Sequence, residues 1–210
     1  MPKISSSVIR RMPRYYRFLN ELEKNGAVRV SSRELSERMG LTASQIRQDL
    51  NCFGGFGQQG YGYNVSQLRE EIGRILGLEE NYKCIIIGAG NLGRTLATHM
   101  NFKKRGFRLS AIFDSNEAFA GQLVSGMPIR HINGLDDFCR LEKPSIAVLC
   151  VPYDAAHDLG EQLARLGIKG IWNFSHYDFS NELPNVAIEN VHLGDSLTIL
   201  SYKVKRDSEQ

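Results

Sequence analysis

Apolar positions along this chain switch between the period of a helix and that of a buried strand, and the switches outline its elements. Val8, Met12, Tyr15, Leu19 and Leu22 recur at steps of three and four, one face of a helix over Val8 to Lys24 that Asn25-Gly26 stops. Pro13 falls inside this stretch and allows a kink or a later start. Ser31-Ser32-Arg33-Glu34 and Thr42-Ala43-Ser44-Gln45 both place a hydroxyl residue three positions before Glu or Gln, the signature of a capped helix start. The first leads into Leu35 and Met39 and ends at Gly40; the second opens a helix with Ile46, Leu50 and Phe53 inward. Two short helices joined by Gly40-Leu41 predict a helix-turn-helix. Gly54 to Tyr63 is too rich in glycine for a helix and too aromatic for a linker, and so predicts a β-hairpin wing with Gln58-Gln59-Gly60 at its tip. Ser66 to Leu76 reads as one more helix, and Leu78 to Tyr82 as a link to a second domain.

From Lys83 the pattern changes. Lys83 to Ile87 is an apolar run short enough for a buried strand, Gly88-Ala89-Gly90-Asn91-Leu92-Gly93 follows it, and a helical pattern comes next. A second apolar run, Leu109 to Phe113, stops at Asp114. Beyond it the chain predicts a short strand pair over Gly121 to Ile129, helices over Leu135 to Leu141 and Ala155 to Leu166, and strands over Ser145 to Val151, Gly170 to Phe174 and Val186 to Glu189. That alternation predicts an α/β, Rossmann-like, doubly wound parallel sheet. The last helix, Leu193 to Lys205, carries Leu193, Leu197, Leu200 and Val204 on one stripe, which a second subunit could cover. The expected domains are 1–78 (winged helix), 79–190 (doubly wound sheet) and 191–210 (dimerising helix and tail).

Charge sharpens this division. The chain carries a net +3, yet residues 1–60 hold ten Lys/Arg against five Asp/Glu, and the remainder holds sixteen against eighteen. Lys3, Arg10, Arg11, Arg14 and Arg17 all precede the first acid, Glu21, a cluster suited to phosphates. Ser44, Gln45, Arg47 and Gln48, on the outer side of the second short helix, are types that contact base edges and phosphates. With the wing residues Gln58, Gln59, Tyr61 and Tyr63, they make double-stranded DNA the expected partner of the first domain. Cys52, Cys84, Cys139 and Cys150 have no disulfide or zinc spacing, so no metal is expected. No apolar run approaches the roughly 20 residues of a membrane span, and no secretory leader opens the chain, so a soluble, cytoplasmic protein is expected.

The glycine motif supplies the second chemistry. Gly88 permits the tight turn, Gly90 lets a pyrophosphate approach the backbone, and Gly93 lets helix and strand lie close. Asp114 lies twenty-one residues beyond Gly93, where a carboxylate can accept hydrogen bonds from an adenosine ribose. Ser115-Asn116 follows it with no arginine, so NADH and NAD⁺ are expected rather than their phosphorylated counterparts. Val151, Pro152, Asn173 and Phe174 fall just beyond strand C-termini, where such sheets bind ligands.

Arg47-Gln48-Asp49-Leu50, Phe53-Gly54-Gly55-Phe56-Gly57, Gly60-Tyr61-Gly62-Tyr63, the glycine motif and Gly170-Ile171-Trp172-Asn173-Phe174 occur in an order that resembles the Rex family of redox-sensing transcriptional repressors. The resemblance spans essentially the whole chain. It implies a homodimer with exchanged C-terminal helices that holds a palindromic operator while NADH is scarce and leaves it when NADH binds. It also implies that Arg47 contacts bases or phosphates, that the wing enters the minor groove, and that Arg17 takes part in a state-dependent pairing. Three positions depart from the family pattern: Gln48 replaces a frequent basic residue, His99 a frequent tyrosine, and His192 an aspartate that would pair with Arg17. Asp195, one turn later, is a substitute for that partner.

Two other readings stay open on the residues alone. An NAD-dependent oxidoreductase needs a proton donor or acceptor beside the nicotinamide, and His131, His157 and His176 show no triad or metal spacing. A CoA-ligand-binding module would use a domain of this small size, but Asp114 at the ribose position favours NAD. No enzyme activity is expected.

Overall fold

The computed structural model describes residues 4–54, 57–58, 61–179 and 182–208. The chain divides into two compact units, Met1–Glu79 and Glu80–Gln210.

The first unit contains α1 (Ser6–Lys24), β1 (Arg29–Val30), α2 (Ser32–Met39), α3 (Ala43–Asn51), β2 (Gly57–Gln58), β3 (Gly62–Asn64) and α4 (Val65–Ile75). Ser31 caps α2 in a reciprocal capping box with Glu34, and the Thr42 hydroxyl accepts from the Gln45 N–H at the start of α3. These caps fix where the two short helices begin, and Gly40 in a left-handed conformation ends the first of them. α1 starts at Ser6 and runs through Pro13, so the proline does not delay it. Met12, Tyr15 and Leu19 of α1 pack against Leu35, Ile46, Leu50, Leu68 and Ile72 in one core. The three short strands pair antiparallel in the order β1-β3-β2, so helix-turn-helix and wing form a winged helix. The expected wing tip at Gln59-Gly60 lies outside the described residues.

The second unit contains β4 (Tyr82–Ile87), α5 (Asn91–His99), β5 (Phe107–Asp114), β6 (Leu123–Val124), β7 (Met127–His131), α6 (Leu135–Glu142), β8 (Ile146–Leu149), α7 (Tyr153–Arg165), β9 (Gly170–Asn173), β10 (Ala187–Asn190) and α8 (Leu193–Ser208). Its sheet runs β10-β9-β8-β4-β5-β7-β6, parallel except for the short β6. From β4 the chain steps outward to β5, then returns to the other side of β4 at β8. The C-terminal ends of β4 and β8 therefore flank the switch point where a doubly wound sheet takes its ligand.

Strand alternation divides the interior between two faces. Ile85, Ile87, Phe113 and Leu149 pack against α6 and α7. Cys84, Ile86, Ile112 and Val148 face α5. Beyond α5 that second face opens as an apolar recess of about 400 Å³ lined by Met100, Phe107, Ile146, Trp172 and Ile188, among others. α8 is exposed from Leu193 to Asp207, with Leu193, Leu197 and Leu200 each more than half accessible. No described helix is long and apolar enough to cross a membrane.

Candidate functional site

The recognition helix α3 is anchored by a charge that it buries. Asp49 is fully buried, and its carboxylate accepts two hydrogen bonds from Arg11 (Nε 2.6 Å, Nη2 2.7 Å), one from the Tyr15 hydroxyl at 2.9 Å and one from Gln45 Nε2 at 2.8 Å. Burial alone would raise the Asp49 pKa; the hydrogen bonds from Arg11, Gln45 and Tyr15 and the Arg11 charge outweigh it and hold the carboxyl below its ordinary range. Burial and the bond to Asp49 push the Tyr15 hydroxyl upward, so it stays a donor.

This network revises two sequence expectations, and the burial of β3 revises a third. Arg11 is not a free phosphate ligand, because its guanidinium forks onto Asp49, thirty-eight residues away, in a bidentate pair. Gln45 is half-buried with its amide turned inward to the same carboxylate, so it is not a fully outward side chain. Tyr63 is not displayed by the wing: it is 7% exposed and belongs to the core, because it is the inward residue at the centre of the three-residue β3. Tyr61, two residues earlier, is 69% exposed beside Arg29, whose guanidinium lies 5.8 Å from its ring centre.

What remains outward is a smaller set. Ser44, Arg47 and Gln48 are exposed on α3, and Arg47 Nη1 rests 3.1 Å from the Ser32 hydroxyl, a contact between exposed groups that a nucleic acid could displace. Arg14 and Arg17 are exposed on α1, the former 5.7 Å from the Phe18 ring centre. The expected contact Gln59 lies outside the described residues, as does the side chain of Gln58.

The glycine motif forms the loop between β4 and α5. Gly88 has φ +99°, and a Cβ there would collide with the Cys150 carbonyl; a Cβ on Gly93 would collide with the Gly88 carbonyl. Gly90 has nothing within 4 Å of a Cβ position. Two glycines thus satisfy the packing of the protein itself, and the third leaves open space for a ligand's phosphates beside the free N–H groups that begin α5. The loop residues Ala89 and Gly93 are buried, Leu92 is half-buried and Asn91 is exposed at the first position of the helix.

Asp114 ends β5 beside this loop. Its Oδ2 accepts from the Ala89 N–H at 2.6 Å and its Oδ1 from the Asn116 N–H at 2.8 Å. Each carboxylate oxygen retains a further lone pair, which suits a ribose hydroxyl. Sequence reasoning found no arginine beside Asp114, but one lies close in space. Arg94, in the first turn of α5, donates from Nε to the Ala89 carbonyl at 2.7 Å and from Nη2 to Gln122 Oε1 at 2.9 Å, with its guanidinium 4.6 Å from the Phe119 ring centre.

Of the positions expected near the nicotinamide, Val151 packs into the core and Pro152 is exposed at the start of α7. Phe174 is half-buried and meets Trp172 edge to face at 4.6 Å. Asn173 departs from expectation as a ligand contact. It is 1% exposed, its Nδ2 donates to Tyr177 O and Asn190 Oδ1, and its Oδ1 accepts from the Ser175 N–H and hydroxyl. With both ends of the amide engaged, it ties β9 to β10 and to the loop after β9. His192 is half-buried and stacks on His176 with ring centres 5.9 Å apart; Asp195 and His99 are exposed. Burial pushes the Cys150 thiol up to about 12, which makes it an apolar wall rather than a nucleophile.

Comparisons with known proteins bear on both sites. Residues 3–51 match a family model described as "Putative DNA-binding protein N-terminus", and residues 79–177 match one described as "CoA binding domain". A redox-sensing transcriptional repressor Rex of Thermoanaerobacter pseudethanolicus is 52% identical over 206 residues, 98% of this chain and 91% of that protein. A crystal structure of RSP in complex with β-NAD⁺ and operator DNA superposes with a TM-score of 0.90 at 49% identity, covering 99% of this chain and 95% of that one. A second RSP structure, in complex with β-NADH, gives 0.90 at 47% identity, covering 99% and 97%.

Proposed function

The chain belongs to the Rex family of redox-sensing transcriptional repressors, and on that footing we propose that it is an operator-binding repressor that NADH releases from DNA. It acts as a regulator rather than an enzyme, in the cytoplasm, where operator and nucleotide pool meet. Residues 1–78 are assigned to DNA, 79–190 to NAD(H) and 191–210 to subunit exchange. The observation that carries the reading is the coexistence in one short chain of an outward Ser44, Arg47 and Gln48 on an anchored helix and an open space at Gly90 beside Asp114.

The match to a CoA-binding model reflects a strand, glycine loop and helix that such modules share. The carboxylate at the ribose position and the near full-length likeness to NAD(H)-carrying repressor structures favour NAD(H). Gly88, Ala89, Gly90, Asn91, Leu92 and Gly93 hold either oxidation state alike, so discrimination belongs to the nicotinamide end, near Val151, Pro152 and Phe174. A neutral dihydronicotinamide is buried there more cheaply than the charged oxidised ring.

The apolar stripe of α8 and the recess over Trp172, Ile146 and Ile188 are complementary in character, which supports a homodimer whose α8 helices lie on the partner's sheet. Such a dimer presents two recognition helices to a palindrome, with half-sites about 34 to 36 Å or a multiple apart. Arg17, His99, His192 and Asp195 are proposed to take part in the change between the two states.

Titrating NADH with and without saturating operator tests the reading. By linkage, NADH and operator must weaken each other by the same factor, about 5- to 150-fold for an effect of ordinary size. NAD⁺ should occupy the site and displace little DNA. An NADH affinity that operator leaves unchanged overturns the proposal.

A further inference from the structure

The two peptide groups that flank Ala89, between Gly88 and Gly90, are held by opposite charges. The Ala89 N–H donates to Asp114 at 2.6 Å, and the Ala89 carbonyl accepts from Arg94 Nε at 2.7 Å. Arg94 is itself fixed by Gln122 Oε1 on a second donor and by the face of Phe119. Gln122 in turn donates from Nε2 to the Ala118 carbonyl at 2.7 Å, so its oxygen necessarily faces Arg94. Charge-assisted bonds of this kind are the strong ones, and a guanidinium with two donors engaged and one face stacked has little freedom left.

We propose that Arg94 is a positioning residue for the nucleotide site: with Asp114 it clamps the Ala89 peptide and shapes the glycine loop before the pyrophosphate arrives. The inference rests on the NAD(H) reading above. Arg94 acts through the loop and does not itself touch the ligand's phosphates. Its removal therefore weakens every ligand that carries the adenosine pyrophosphate by one common factor, whatever the state of the nicotinamide.

The test is calorimetric titration of the full chain and of Arg94→Ala and Arg94→Lys with NADH, NAD⁺ and ADP-ribose, at low and high salt, alongside melting of the unliganded proteins. The expected result is a loss of about tenfold for all three ligands, because the variant must order the loop on binding, a cost that the clamp otherwise meets in advance. Salt should leave this loss unchanged, and the unliganded proteins should still melt cooperatively, lowered by no more than the few degrees that the lost bonds of one arginine account for. Arg94→Lys should be as weak as Arg94→Ala, because a lysine keeps the charge but not the planar fork. Rescue by lysine, or a loss that high salt abolishes, would show a direct phosphate contact and overturn the clamp. Loss of the cooperative transition in the unliganded variant would reduce Arg94 to a structural role, and unchanged affinities would remove it from the site. If the parent chain binds none of the three ligands, the NAD(H) reading itself fails.

Discussion

Each unit of this chain gathers hydrogen bonds around one carboxylate, and the two clusters differ in what they leave over. Around Asp49 the network is closed: Arg11, Tyr15 and Gln45 all point at a carboxylate with no access to water. Around Asp114 the network is open on one side: two backbone N–H groups are satisfied, the carboxylate is half-buried, and the space at Gly90 faces out. A charged side chain that looks like a ligand contact in the sequence is a support when its partners lie inside the fold, and a contact when capacity remains toward solvent. Arg11 and Asp114 fall on opposite sides of that line.

The largest effect that would break this contrast lies at Asp49. Asp49→Ala leaves the Arg11 cation without its partner and should destabilise the first unit by about 3 kcal/mol, toward the lower end for a broken buried pair because Arg11 keeps partial access to water. Because the folded carboxyl is held below its ordinary value, this contribution is present above roughly pH 4, the value of an unperturbed aspartate. It disappears as pH falls through the lowered folded value. Urea unfolding of parent and variant across acidic pH should show the difference shrinking, and a pH-independent difference would remove the charge as its source.

A sharper division is expected within the glycine loop. Gly93→Ala forces a Cβ against the Gly88 carbonyl and should cost about 1 to 3 kcal/mol of thermal stability, the range for overpacking. Gly90→Ala meets nothing, so its melting temperature should stay put while NADH affinity falls about tenfold through loss of a close phosphate approach. Equal melting curves for the two variants would contradict the division of roles.

On the DNA side, Arg47→Ala should cost about 1 to 3 kcal/mol on a preferred operator if it reads a base. Arg14→Ala should weaken all sequences alike and lower the salt slope by about 1. Arg11→Ala should alter stability and leave that slope in place. A flattened slope for Arg11→Ala, measured by operator titration over a salt series, would return Arg11 to the phosphate contacts.

Local signals made much of the architecture legible. The capping residues Ser31 and Thr42 set helix starts from within a few positions, and Lys83 to Gly93 spells out strand, turn and helix in one run. What stayed hidden depends on residues far apart in the chain. The Arg11 partner is thirty-eight residues on and that of Arg94 twenty-eight, so neither pairing has a period to betray it. Tyr61 and Tyr63 are both aromatic in a glycine-rich stretch and at strand spacing would share a face, but Tyr61 falls in the turn before β3 and only Tyr63 is carried inward by the strand. Asn173 followed the rule that residues at strand ends bind ligands; its amide instead meets Asn190 at the matching position of the adjacent strand.

The clamped Ala89 peptide also bears on time. A loop already shaped by Asp114 and Arg94 requires no ordering step when the nucleotide arrives, so capture runs near the rate of encounter and affinity is set by how slowly the ligand leaves. For a repressor that follows a fluctuating pool, the lag between a change in the cell and a change at the promoter then becomes the residence time of the nucleotide, a quantity that substitutions around Ala89 would lengthen or shorten.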